Sequence, residues 1–452
     1  MNKLTSFALF LITTILLMTI ALYNGFGLAE NDTGAYIATG IKNIVPIDRS
    51  PFYGWFIYYT SLYSSLWYTL FTQCALLSIL LINYIYILYR NTTITARIIL
   101  ISVISVVCFT CVPWVSCYLM PDIFGGILLL ATLLFLNVPC NKFTKLFLYS
   151  IVIFYSVIIH NSHFLILAAF ALAVLAWSIM KKKIELFKRS VILLSISVLG
   201  WFTLCAVNAV NGNGFTISRG GHVFMMGKLV ETGILNTYLN DNCDTKLLKL
   251  CDYKNDVPAY SWIYIWDEKS PLYKNGGWDS SKKENNQIIH DVFSTCRYQR
   301  MFVQKSIIST LKQLVQFQVQ NKTLNMGEGN SPWYTIKKYF ADEHNEFNSS
   351  KQNTVSIRAD KANTVYLIFL FLSSIMILRI RHLIPSEIAM LYGFIILFVT
   401  MNAFITATFS TVLPRYQNRI FWILPATNAI LLIKHYLGKV TIVNLFEKHQ
   451  KE

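Results

Sequence analysis

Apolar runs of roughly 18 residues recur along the chain, and each ends at a charged, polar or proline-bearing stretch. They fall near residues 6–27, 67–89, 95–113, 121–137, 145–160, 163–180, 190–209, 363–379, 386–408 and 420–436. A helix needs about 20 residues to cross some 30 Å of hydrocarbon. Lipid offers no partner for backbone amides and carbonyls, so such runs must be helical. The pattern predicts an all-α polytopic membrane protein with about ten transmembrane helices. The first run follows Lys3 but is longer than the apolar core of a typical leader, and no small-residue cleavage pattern follows it, so it reads as a retained anchor.

The breaks divide the chain into residues 1–210 with seven spans, a polar segment at 211–361, three spans within 362–438, and a short polar tail at 439–452. The first break, residues 28–56, carries Glu30, Asp32 and Asp48 among hydrocarbon-rich neighbours. Within it Tyr36, Ile37, Gly40, Ile41 and Ile44 form one apolar face, expected to lie flat on a membrane. Asp48-Arg49-Ser50-Pro51 then breaks the helical pattern, because proline lacks a donor and restricts the residue before it. Pro113 is expected to end the third span, and Pro121 to open the fourth, placing Asp122 where the helix dipole favours a carboxylate. Gly125-Gly126 just beyond would let another helix approach closely. His160-Asn161-Ser162-His163 joins two nearly continuous spans. In the 211–361 segment, Val223, Met226, Val230 and Ile234 share a helical face, and helical patterning returns from Gln287 to Gln320. It reads as a largely helical extracytoplasmic domain inserted after the seventh span.

A net charge of +16 raises the question of nucleic acid. With the N-terminus cytoplasmic, the cytoplasmic segments collect the excess: Arg90, Arg97, Lys142, Lys145, the Lys181–Arg189 cluster, Arg379, Arg381 and the tail lysines, Lys451 among them. That is a positive-inside bias, and nucleic acid is not expected as a partner. Six of the nine cysteines (Cys74, Cys108, Cys111, Cys117, Cys140, Cys205) lie in or beside spans, where cysteine behaves as a small hydrophobe. Cys243 and Cys251 could pair in an oxidising compartment.

The ionisable groups that remain gather on one side of the membrane, where each costs about 2.5–3.5 kcal/mol at depth. They are Asp32, Asp48, Arg49, Asp122, His160, His163, Arg219, His222, Arg415 with Tyr416, and Arg419. Each has a plain structural alternative. Asp32 could cap its helix, Asp48 could form a turn or local ion pair, Asp122 could serve only the helix dipole, and the arginines could snorkel. Together they suggest chemistry on a phosphate-bearing donor. An arginine fork grips two phosphate oxygens at once, and a carboxylate within hydrogen-bond reach can take a proton from an attacking hydroxyl. No metal-ligand set is evident.

The chain resembles the C-type (GT-C) membrane glycosyltransferases. The resemblance rests on the acidic first loop from Asp32 to Ile44 followed by DRSPFYGWF, on MPDIFGGILLLATLLFL at the fourth span, on the helices beside HNSHF, and on LPRYQNRIFWILPATNAILLI near the C-terminus. It covers the spans and leaves 211–361 aside. It implies an inverting transfer of a sugar from a polyprenyl-phosphate donor to an extracytoplasmic acceptor (lipid, glycan or protein), at the bacterial cytoplasmic membrane. Asp32 would be the base of the first loop and Asp122 a second catalytic acid. Arg415 and Arg419 would hold the lipid phosphate, beside Tyr416, Asp48, Arg49 and the two histidines. The first loop has Glu30-Asn31-Asp32 rather than an adjacent acidic pair, which leaves the use of a divalent metal open. Two other readings fit the same architecture. An O-antigen polymerase or ligase would centre on Arg219 and His222. A lipid-linked substrate transporter or flippase would show matched broken helices, which this sequence lacks.

Overall fold

A computed structural model describes residues 2–90, 94–139 and 141–449, with side chains to residue 437. Cys140, Lys451 and the last residues of the tail, expected on the cytoplasmic side, lie outside the described residues. The chain is all-α, with two isolated β-bridges and no strand among the described residues. Six helices are long and apolar enough to cross a membrane: Leu66–Leu88, His163–Met180, Ile184–Val210, Asp360–Leu383, Ser386–Phe409 and Pro414–Leu437. Four further apolar helices, Lys3–Leu17, Ala96–Phe109, Ile123–Asn137 and Phe143–Ile158, are shorter. At 1.5 Å per residue each covers less than the hydrocarbon thickness.

Two of the short helices arise from breaks that the apolar pattern hides. The first run bends at Met18, which separates Lys3–Leu17 from Thr19–Asn24, and closes on Gly25 in the left-handed region (φ 83°). The third run ends at Phe109, and Pro113 does not terminate it. Proline instead occupies the first turn of a separate short helix, Val112–Cys117. There its missing N–H costs nothing.

The Ile123–Asn137 helix is the axis of the bundle. Every side chain from Ile123 to Leu136 is buried, as expected of a helix apolar on all faces. Its neighbours include Leu66–Leu88, Phe143–Ile158, Ser386–Phe409 and Pro414–Phe421. Its last carbonyls are capped by a buried cation: Arg189 donates to Phe135 O at 2.6 Å and to Val138 O at 2.5 Å. One member of the Lys181–Arg189 cluster is therefore a structural cap at the negative end of a helix dipole.

The 211–361 segment is not one unit. Residues between Val223 and Phe302 form a core of their own, with Val223, Met226, Val230 and Ile234 all buried. Ile234 belongs to the next helix, Ile234–Asn242, after a turn at Gly233. Cys243 and Cys251 form a disulfide on this core. Residues from Val319 to Ala359 instead join the main core of the bundle.

That second half explains the first loop. The apolar face of the Asn31–Lys42 helix does not lie on a membrane surface. Tyr36, Ile37 and Gly40 are buried by protein, against the Phe52–Thr60 helix on one side and the Ser331–Tyr339 helix on the other. Gly40 and Gly54 permit the first crossing, since a Cβ on Gly40 would run into the Gly54 carbonyl. Gly34 permits the second, facing Ser331 in the same way. Ile44 lies beyond the helix end and is exposed.

Candidate functional site

Four chain segments meet at the N-terminal end of the axial helix. Leu28 is held between two backbones, its N–H donating to Cys117 O and its carbonyl accepting from Leu119 N–H, both at 2.8 Å. Ala29 is gripped on both polar groups by Gln352, which accepts from its N–H at 3.0 Å and donates to its carbonyl at 2.7 Å. Glu30 N–H donates to Thr33 Oγ1 at 2.9 Å, and Thr33 Oγ1 donates to Leu119 O at 3.2 Å. The main chain entering the Asn31–Lys42 helix is thereby fixed, with Glu30 at its N-cap and Asp32 in its first turn.

The third segment comes from the C-terminal half. Gln313 clamps the start of the Pro414–Phe421 helix through both polar groups of Leu413, at 2.8 and 3.0 Å. Asn418 donates to Gln318 O at 3.2 Å. Arg415 and Arg419, one turn apart, then face the first loop and the axial helix. The fourth segment is the axial helix, where the approach is close. A Cβ at Gly125 would sit 3.1 Å from Arg419 Cδ, and one at Gly126 only 2.9 Å from the Arg419 carbonyl. The paired glycines thus make the room expected of them.

Two chains of charge result. Asp48 Oδ2 accepts from Arg49 Nε at 2.9 Å and Nη2 at 2.6 Å. Arg49 Nη1 lies 3.0 Å from Asp32 Oδ1, while Arg415 Nη2 donates to Asp32 Oδ2 at 3.1 Å. Both carboxylate oxygens of Asp32 are therefore engaged by guanidinium groups. Burial works against its ionised form, but the two arginines outweigh burial and hold its carboxyl below the ordinary value. In the second chain Asp122 Oδ1 accepts from Arg419 Nη1 at 3.3 Å, and Arg419 Nη2 donates to Asn402 Oδ1 at 3.0 Å and Ser162 Oγ at 3.4 Å. The Arg419 side chain is wholly buried, so it is not snorkelling.

Between these chains opens a small cleft, with a cavity volume of about 40 Å³, lined by Glu30, Trp114, Val115, Tyr118, Met120, Asp122, Val319, Gln320, Arg415 and Asn418. Its lining, mostly apolar with a few convergent polar groups, has the character of a small-molecule site. Arg415 Nε is buried without a hydrogen-bond partner. No ion pair reaches Glu30 among the described residues. Burial pushes its carboxyl up to about 7, with Asp122 and Asp32 adding to the rise and Arg415 opposing it.

No family model, curated protein or solved structure matches this chain.

Of the sequence candidates, Asp32, Asp48, Arg49, Asp122, Arg415 and Arg419 are brought into one connected cluster. Tyr416 belongs to it through its ring, which lies 5.4 Å from the Arg415 guanidinium and 5.5 Å from that of Arg419. His160 and His163 stack with ring centroids 4.9 Å apart, and His163 Nδ1 is 2.7 Å from Ser156 O. They neighbour Arg419 through Ser162 and do not line the cleft. Arg219 and His222 do not line it either. Arg219 is taken up by Asp279 at 3.1 Å and Asn213 at 3.3 Å, and His222 by Asn285 at 3.0 Å. Sequence reasoning passed over Glu30, Tyr118, Gln320, Asn418 and Asn402 as site residues. For Glu30 the signal was present, an acid two residues before Asp32. For Gln320 and Asn418 none was.

The donor set fits a divalent metal poorly. Among the described residues no three histidine, cysteine, aspartate or glutamate side chains gather as a ligand group. The first-loop aspartate already neutralises two cations. Cys108 and Cys111, with two residues between them, are free thiols, one exposed and one buried.

Proposed function

We propose that this chain is a GT-C-type membrane glycosyltransferase that moves a sugar from a polyprenyl-phosphate donor to an extracytoplasmic acceptor. The observation that carries the reading is Arg415, a guanidinium with one buried, unpartnered N–H on the wall of a mainly apolar cleft that also holds two carboxyl groups, Glu30 and Asp122. A guanidinium has five donors, and Asp32 takes one. The remainder suit a phosphate oxygen. Trp114, Val115, Met120 and Val319 offer the apolar wall that the first prenyl units of such a donor would need.

In this reading all ten apolar helices lie within the membrane, the four short ones embedded among longer neighbours. The termini are cytoplasmic, the cleft opens at the opposite face, and the membrane is the bacterial cytoplasmic one. Residues 211–361 form the extracytoplasmic part, of which 319–359 supports the first loop. Arg415 would hold the donor phosphate, while Asp32, tied to Arg49, sets the angle of Arg415. Asp122 would keep Arg419 charged beneath the cleft. The placement of Arg219 and His222 away from the cleft counts against a polymerase or ligase centred on them.

The test is binding of a radiolabelled polyprenyl phosphate to purified protein in nanodiscs. A hydrogen bond to a charged group is worth about 1.5–3 kcal/mol. Arg415→Lys, which keeps the charge but loses the fork, should weaken binding at least several-fold, and Arg415→Ala roughly 10- to 100-fold. Equal binding by wild type and Arg415→Ala would overturn the reading.

A further inference from the structure

We infer that Glu30, rather than Asp32, is the group that takes the proton from the acceptor hydroxyl. The inference rests on the glycosyltransferase reading and reassigns a role within it.

Three carboxyl groups stand at or beside the cleft, and geometry separates their duties. Asp32 has one oxygen on Arg49 at 3.0 Å and the other on Arg415 at 3.1 Å. A carboxylate with both oxygens held by guanidinium groups has little basicity left, and protonating it would leave two buried cations facing each other. Asp122 shares an oxygen with Arg419 at 3.3 Å, and that arginine is fully buried with no other carboxylate within ion-pair distance among the described residues. Removing the negative charge of Asp122 would strand it. Glu30 lines the same cleft as Asp122 and Arg415 and carries no ion pair among the described residues. It can be protonated and deprotonated without breaking a pair.

The chain also invests in holding Glu30 in place. The two residues before it are fixed by backbone bonds to Cys117 and Leu119 and by the two-sided grip of Gln352. Its own N–H is held by Thr33. Its side chain closes a capping box with the Thr33 backbone, which fixes the carboxyl at the helix start, and Glu30 lines the cleft beside Asp122 and Arg415. The charged and titratable neighbours that face it are Arg415 from the Pro414–Phe421 helix, Asp122 at the axial helix, Asp32 from its own helix and Tyr118 from the segment paired with Leu28. Their balance, with burial, leaves a carboxyl that titrates near neutral pH, where a general base is most effective.

In the step, the acceptor hydroxyl gives its proton to the Glu30 carboxylate while its oxygen bonds to the anomeric carbon. The bond from that carbon to the phosphate oxygen breaks, and its electron pair leaves with the polyprenyl phosphate beside Arg415. Glu30 then returns the proton to solvent. No oxidant, reductant or further reactant is required.

The experiment measures transfer from a polyprenyl-phosphate sugar across pH 5–9, with donor binding determined separately, for wild type, Glu30→Gln, Glu30→Asp and Asp32→Asn in nanodiscs. The expected wild-type rate rises with pH through about 7. Glu30→Gln should lose 100-fold or more in kcat and the pH-dependent limb, with donor Kd within threefold of wild type. Glu30→Asp, which guards against a folding artefact, should keep the limb at a reduced rate. Asp32→Asn should weaken donor binding and keep the limb. Retention of rate and limb in Glu30→Gln, or loss of the limb in Asp32→Asn alone, would overturn the assignment. If wild type neither binds nor uses a polyprenyl-phosphate sugar, the functional reading itself fails, and the assignment with it.

Discussion

Replacing Asp122 by asparagine removes one negative charge and almost no volume, so its effect isolates the electrostatics of the second charge chain. Arg419 is wholly buried, and Asp122, at 3.3 Å, is its one carboxylate partner among the described residues. Taking away one partner of a buried ion pair costs about 3–5 kcal/mol, because the other charge remains desolvated. Asn402 at 3.0 Å and Ser162 at 3.4 Å continue to accept from the guanidinium, which puts the expected loss at the lower end, about 3 kcal/mol. That is a shift of roughly 100-fold in the unfolding equilibrium. Reversible unfolding in mixed micelles reads it directly. The double variant Asp122→Asn with Arg419→Met removes the stranded charge and should recover at least 1 kcal/mol of the sum of the single losses. An Asp122→Asn protein within 0.5 kcal/mol of wild type, or strictly additive losses, would refute the reading that Asp122 compensates the buried charge of Arg419.

Glu30→Gln should stabilise the fold above neutral pH. The wild-type carboxyl has its folded value raised to about 7, so its stability is fully present below the ordinary carboxylate range and is lost as pH rises through 7. Equilibrium unfolding at pH 8 should show the variant ahead by roughly 1–3 kcal/mol, with the gap closed at pH 4. Gly40→Ala should destabilise by about 1–3 kcal/mol despite a better helix propensity, since the Cβ meets the Gly54 carbonyl. The same micelle assay checks it, and a neutral result would contradict the close crossing. Serine in place of Cys243 and Cys251 opens an eight-residue separation and should cost about 2–3 kcal/mol. The damage should appear as new proteolysis between Val223 and Phe302, with the membrane bundle intact, because that core is separate.

Much of the scaffold is written in the apolar runs, since length and hydrocarbon character are local properties of the chain. The gathering of Asp32, Asp122 and Arg415 was also legible, because charge beside a span is costly and its placement on one side of the chain's weave narrows where it can meet. The interruptions were less visible. Met18 is as apolar as its neighbours, so nothing in the run marks the bend that ends Lys3–Leu17. Pro113 reads equally as a stop or as a first-turn residue, and the break at Thr110 decides between them.

The first loop shows where sequence reasoning reached its limit. A stripe of Tyr36, Ile37 and Gly40 demands burial, but the stripe does not say what covers it. The cover is Ser331–Tyr339, about 300 residues further on, together with the glycine crossing at Gly54. The choice between Glu30 and Asp32 depended on the same missing information. Two acids separated by one residue look alike in a sequence, and only the arrival of Arg49 and Arg415 at Asp32 distinguishes it from Glu30, which has no ion pair among the described residues.

The most direct measurement is a structure of the protein in nanodiscs with a polyprenyl-phosphate sugar analogue bound. The account predicts the phosphate within hydrogen-bond distance of Arg415, the first prenyl units against Trp114, Val115 and Val319, and the anomeric carbon open to a hydroxyl that Glu30 can reach. A phosphate bound elsewhere, with the Glu30–Arg415 cleft empty, would contradict it.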